Sequence, residues 1–177
     1  AGDALVVSKF LGIEGTLILA DVCRDTARQV LTKEELKTID GFRDLLSVIP
    51  EGRIGRTLGV HSMHDVTEGG ILGGVYEVVQ SSGLGATLDQ QLFPFHEVTL
   101  KLTRALGLDE TKLISSGAML FGTEDPDRLI EELKNAGIEA AIIGRVSAQP
   151  GIWLMDGTEK RAVEAVAKDE IYRVFER

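Results

Sequence analysis

Cysteine is almost missing from this 177-residue chain. Cys23 is the single one, so no internal disulfide can form, and the composition fits a reducing compartment such as the cytoplasm. Histidine is scarce as well, with three residues in all. No apolar run approaches the ~18–20 residues that a helix needs to cross a bilayer. No basic segment leads into an apolar stretch with a small-residue cleavage site, so no secretory signal is visible and no membrane partner is expected. Positive charge is in deficit: 19 Lys and Arg face 28 Asp and Glu, for a formal net charge of −9. So acidic a chain repels phosphate backbones, and no block of Lys or Arg makes a local exception, which disfavours nucleic acid as a partner. No Gly-x-Ser-x-Gly elbow surrounds a serine, so a hydrolase triad is unsupported. Internal repeats and low-complexity segments are absent.

What is present is enough for a core. Hydrophobic residues make up 44% and charged residues 27%, which suits one folded domain over residues 1–177 and argues against wholesale disorder. The opening "AGDALVVSKF" has no initiator Met and enters a strand pattern at once, where a natural start carries a few loose residues. It reads as the middle of a longer protein, and an excised C-terminal domain is the expectation.

The chain mixes helical and strand patterns without strict alternation. Leu5 to Val7 predict a strand, and "FLGIEGTLILADV" enters a helix. From Arg24 to Leu46 a polar, helical period broken at Gly41 predicts two or three short helices, one opened by the Thr32–Glu35 capping box. Pro50 and Gly52 predict a turn. Ile71, Leu72, Val75, Val78 and Val79 fall at helical spacing up to Gly83, a left-handed cap. "ATLD" predicts a short strand, and "HEVTLKLTRALGLD" a helix with Val98, Leu102 and Leu106 on one side. "GAMLFG", a helix opened by Asp125 and Pro126 and closed at Gly137, and "IEAAIIG" form a βα-β unit whose helix covers one sheet face. "GIWLMDG" adds a strand, and Asp169 to Arg177 a short closing helix. The fold class is α+β, a mixed β-sheet flanked by helices.

The stretch "HSMHDVTEGGILGG", His61 to Gly74, holds the densest chemistry and admits three readings. As a metal site, His61, His64, Asp65 and Glu68 offer ligands, but His-x-x-His on a strand or turn lacks the helical i, i+4 arrangement, and no cysteine joins it. As an anion site, Gly69 and Gly70 open a helix whose first N–H groups lack partners and whose dipole favours phosphate or carboxylate. Asp65 and Glu68 would repel a bare phosphate, yet fit if Mg2+ lies between, because hard oxygens suit that ion. As plain structure, Asp65 or Thr67 caps the helix and the glycines allow close packing. Spacing alone favours the last.

"MHDVTEGGILGGVYEV", followed much later by "ISSGAMLFGTEDPDRLIEELKNAGIEAAIIGRV" and preceded by "AGDALVVSKFLGIEG", resembles the C-terminal domain of the aminoimidazole ribonucleotide (AIR) synthetase superfamily. Each motif alone is weak; the three in this order cover essentially the whole chain. The resemblance implies a PurM-like, partly ferredoxin-like α+β domain. It implies an enzyme of ligase or kinase type that uses ATP and Mg2+ to activate an oxygen of a small-molecule substrate. The nucleotide would sit mainly on an N-terminal nucleotide-binding domain of the same protein, whose motifs this chain lacks, and the full-length protein would be a homodimer paired through that domain. The fragment is expected to be monomeric or weakly dimeric and inactive alone. By the same analogy His64, Asp65, Thr67, Glu68, Gly69 and Gly70 face substrate or phosphate, with Asp65 and Glu68 as Mg2+ ligands. The pattern is nearest to the hydrogenase maturation protein HypE, but that protein's Pro-Arg-x-Cys tail is replaced by "YRVFER", which puts the HypE reaction in doubt. The alternative is a non-catalytic module for small-anion binding or dimerisation.

Other residues favour plain roles. His96 is expected to be packed or capping, Ser115 and Ser116 to serve a turn, Trp153 to lie in the core or an interface, and Lys9 to be a solvated charge.

Overall fold

The computed structural model describes residues 1–176. Its first strand, β1 (Ala4–Ser8), is buried at every position. Because successive strand side chains alternate between faces, Leu5 and Val7 join one core with Val66, Ile71, Leu72, Val75 and Leu120. Ala4 and Val6 join another with Phe121, Leu129 and Leu133. A strand apolar on both faces must have layers on both sides.

The chain then makes α1 (Ile13–Val22), α2 (Arg24–Val30), α3 (Lys33–Gly41) and a 3-10 turn at Phe42–Leu45, the short helices expected. The Thr32 hydroxyl accepts from Glu35 N at 3.1 Å while Glu35 accepts from Thr32 N at 2.8 Å, so the capping box closes. The turn expected at Pro50 is instead α4 (Ile49–Leu58). Proline is tolerated in a first helical turn, where its missing N–H has no intrahelical partner to lose.

Next come β2 (Ser62–Val66), α5 (Gly70–Ser81), β3 (Gly85–Asp89), α6 (Glu97–Leu106), β4 (Ala118–Thr123), α7 (Pro126–Asn135), β5 (Ala140–Ser147), β6 (Gly151–Asp156) and β7 (Glu159–Ala162). Gly83 has φ +65, as its capping place requires, and Asp125 accepts from Arg128 N to cap α7. β7, exposed throughout, was not visible as a sequence pattern. The closing helix is a 3-10 segment, Glu170–Val174; Arg177 lies outside the described residues.

The strands form one mixed sheet in the order β2-β4-β1-β5-β3-β6-β7. β1 runs antiparallel to both β4 and β5, so those two are parallel to each other with β1 between them. The expected βα-β unit is therefore split, in the ferredoxin-like manner, and α7 packs Leu129 and Leu133 on the face carrying Val6 and Phe121. β3 and β6 pair in parallel. α5 covers the opposite face. At one end α1, α2, α3 and α6 form a helical lobe around Ile13, Leu19, Phe42, Leu102 and Leu113.

His96 caps α6 through Val98 N and packs edge-on to Phe10 and Phe42 at 5.2 and 5.4 Å. Trp153 is not in the core: it is exposed and lies under the Lys160 ammonium, 4.3 Å from the ring centre. Lys9 is a correction, for it is nearly buried.

Candidate functional site at the start of α5

β2 is an edge strand with β4 as its sole neighbour in the sheet. Its alternation distributes the motif's side chains. Val66 enters the core beneath α5. His64, two residues earlier and on the same face, sets Nε2 2.8 Å from Glu77 Oε2 of α5 and Nδ1 2.7 Å from the Asp65 carbonyl. Met63 takes the other face and abuts Gly55 of α4, where an added Cβ would meet its sulfur at 2.5 Å. Asp65 follows on that face and is exposed. His61 is engaged elsewhere, with Nδ1 2.7 Å from Asp3 Oδ2.

The metal readings therefore find no converging donors. Among the described residues no group of three or more His, Cys, Asp or Glu side chains could hold an ion. Glu68 is engaged by the Tyr172 hydroxyl and Asp65 is exposed on the edge strand, with no third such side chain beside them, so they do not make a resident Mg2+ site of this chain alone.

The anion reading fares differently. Gly69 and Gly70 both have left-handed backbone, φ +80 and +61. The Gly69 N–H donates to Asp169 Oδ2 at 2.6 Å, and the Gly70 N–H turns back to the Thr67 carbonyl at 3.2 Å. An anion does sit at the start of α5, where the helix dipole favours one, but the chain supplies it from 100 residues further on. Asp169 is buried, and its other oxygen accepts from Ile171 N at 2.8 Å. Glu68 accepts from the Tyr172 hydroxyl at 2.9 Å, which raises the Tyr172 phenol above its ordinary value. A cleft of about 290 Å3 is lined here by Glu68, Gly69, Glu77, Lys168, Asp169 and Tyr172.

Burial pushes the Asp169 carboxyl up; the N–H groups of Ile171, Gly69 and Ile114 oppose the rise, and the nearby Glu68 charge adds to it. A carboxyl whose folded value stands above its unfolded one contributes most stability below the unfolded value, ~3.9 for Asp, and loses it as pH rises through the folded value. Asp169→Ala is thus expected to cost about 2 kcal/mol, the scale of two lost bonds to a carboxyl cap. Urea titrations run upward from about pH 4 should find that cost largest at the acid end. A cost that grows with pH would contradict this account.

The three stretches that suggested the family meet here. The Thr67 carbonyl accepts a second bond, from Ser115 N at 3.3 Å. Buried Ser115 in turn accepts from Gly12 N at 2.6 Å, so its role is to tie loops, as turn chemistry suggested. Asp169 and Tyr172 were missed; the available signal was an Asp just ahead of a short helix.

A split βα-β sheet with α5 opened by Asp-Val-Thr-Glu-Gly-Gly defines a PurM-like C-terminal domain. Residues 1–156 match the model of the family described as AIR synthase related protein, C-terminal domain, and the chain belongs to that family. A Methanocaldococcus jannaschii protein named for hydrogenase expression and formation is 26% identical over 179 residues, covering 98% of this chain and 51% of its own length. The crystal structure of E. coli HypE, a hydrogenase maturation protein, superposes with a TM-score of 0.78 at 25% identity, over 98% of this chain and 52% of that one. A structure of HypE in complex with ATP shares the fold, with a TM-score of 0.71 at 18% identity over 96% of this chain and 52% of that one. The chain spans about half the length of the relatives it matches. No helix among the described residues is long and apolar enough to cross a membrane.

Proposed function

We propose that this chain is the C-terminal half of an ATP-dependent, HypE-like enzyme and forms the substrate wall of a phosphate cleft. The observation that carries the reading is the carboxylate seated on Gly69 N at the start of α5: the family's motif presents a main-chain N–H to an anion, and the tail keeps that place until substrate takes it. His64, Asp65, Thr67, Glu68, Gly69 and Gly70 are the residues of that wall. Family membership and the ATP complex of a related fold support the nucleotide.

ATP and Mg2+ belong to an upstream nucleotide-binding half of the same cytoplasmic protein, through which two copies pair. Any Mg2+ takes its remaining ligands from that half or from phosphate, because no third carboxylate or imidazole of the described residues joins Asp65 and Glu68. When bound, nucleotide and metal supply the phosphoryl group and neutralise its charge. What this chain does is position the substrate and exclude water.

The test is ATP turnover by the chain alone and joined to its upstream half. The chain alone is expected to be inactive and the joined protein active. Asp65→Asn in the joined protein should lower turnover by roughly a hundredfold, the scale of one lost positioning contact, with unfolding unchanged. Full turnover in that variant removes Asp65 from the site. The non-catalytic module is the second reading, favoured by one fact: the anion place is already filled from within. Absence of turnover in the joined protein would leave that reading standing.

A further inference from the structure

Lys9 takes no part in the site just described, and its surroundings are unusual. Among the described residues it is the sole non-glycine with positive φ, at 55°. Its ammonium lies 2.9 Å from the Leu45 carbonyl, 2.8 Å from that of Ser47, 2.8 Å from that of Gly117 and 2.6 Å from Glu51 Oε1. The side chain of Lys9 is 11% exposed and that of Glu51 is 0% exposed. Glu51 Oε1 also accepts from the Ser8 hydroxyl, which itself accepts from Met119 N. Glu51 Oε2 is buried with no hydrogen-bond partner among the described residues.

An ammonium has three N–H donors, yet four oxygens surround this one and a fifth is left over on Glu51. Acceptors outnumber donors, so the enclosure is matched to a positive charge rather than to directed bonds. Its own formal charge is that of one carboxylate. All four contacts are longer than the ~2.0–2.1 Å of Mg2+ and the three to carbonyls exceed the ~2.3–2.6 Å of Ca2+, and carbonyl oxygens are the ligands that replace water around K+. We infer that these oxygens form an internal monovalent-cation site, and that Lys9 fills it with a tethered cation. The site joins three parts of the chain: the end of the helical lobe at Leu45 and Ser47, α4 through Glu51, and the turn into β4 at Gly117.

Lys9→Gly is the informative variant. Glycine adopts left-handed backbone freely, so the substitution removes the ammonium, relieves the backbone and leaves the oxygens in place. Thermal unfolding of the whole chain is measured at fixed ionic strength in potassium, ammonium or tetramethylammonium chloride. The wild type should melt at one temperature in all three. Lys9→Gly should melt lower in tetramethylammonium and gain about 3–6 °C in potassium or ammonium at tenfold its dissociation constant, and adding Glu51→Gln should abolish the gain. A variant indifferent to the cation, or a gain that survives Glu51→Gln, overturns the site. Should Lys9→Gly fail to fold, the wild type labelled with 15N at lysine decides. One ammonium signal protected from solvent exchange at neutral pH and displaced by Glu51→Gln is expected; uniformly fast exchange of every lysine ammonium refutes the enclosure.

Discussion

Replacing Lys9 by Met lowers the unfolding free energy by about 3–5 kcal/mol, the cost of leaving a buried charge without its partner. Methionine matches the lysine stem out to Cε and meets the same left-handed backbone, so the loss reports the ammonium itself. Glu51 is then enclosed with a charge that neither solvent nor the Leu45, Ser47 and Gly117 carbonyls can compensate, since carbonyls accept and do not donate. Urea titration of the two proteins measures the difference directly. The double variant Lys9→Met/Glu51→Gln should lose less than the sum of the two single losses, because removing both charges leaves none stranded. A single-variant loss below about 1 kcal/mol would place the pair with ordinary exposed ion pairs.

Gly70→Ala is expected to cost about 3 kcal/mol, whereas Gly69→Ala costs only about 1–2 kcal/mol. Both glycines carry left-handed φ, so each alanine meets the same backbone strain. They differ in what a methyl group would touch. At Gly70 it would lie 2.7 Å from the carbonyls of Leu113 and Thr111 and 2.9 Å from Leu113 N, all main-chain atoms that cannot step aside. At Gly69 its nearest neighbour is the Val166 side chain at 3.3 Å, which can shift. The pair therefore divides its work: the second glycine lets α5 approach the segment before β4, and the first offers its N–H to an anion. Equal losses for the two alanines would mean that close packing does not explain the second glycine.

Most of the fold could be read from local pattern. β1, α3, α5, α6, β4, α7 and β5 announced themselves by apolar period and by caps at Thr32, Asp125 and Gly83. α4 escaped because Pro50 and Gly52 are turn residues in most settings; here proline stands where a helix needs no N–H, and Gly52 is simply tolerated. β7 escaped because "EKRA" on an edge has no buried face to impose alternation. The AIR synthetase resemblance carried the family, and the motif's helix start was correctly placed. What no local pattern could reveal was the choice of long-range partners. Lys9 finds acceptors at Leu45, Ser47 and Gly117, and Gly69 finds its anion at Asp169. A lone lysine after a strand, or a lone aspartate in a tail, carries no mark of a contact so distant in sequence. The exposure of Asp65 followed from β2 alternation, which was legible once the strand was fixed but not while strand and turn remained open; Glu68 lies in the turn beyond that strand.

The position of β1 bears on how such a chain is made. Its neighbours in the sheet are β4 and β5, and the bond joining Ser8 to Met119 spans 111 residues. At ~5–20 residues per second of synthesis, the strand leaves the ribosome on the order of ten seconds before its first partner. Throughout that interval "ALVVS" is apolar on both faces and has both edges open, the condition in which a nascent strand recruits foreign strands. Of the helices made in the meantime, α1, α2 and α3 pack on one another close in sequence and can form early, before α6 arrives to complete their lobe. Closure of the sheet is then a late event in biogenesis, and a chaperone that holds β1 during the delay would raise the yield of folded chain more than one acting after release.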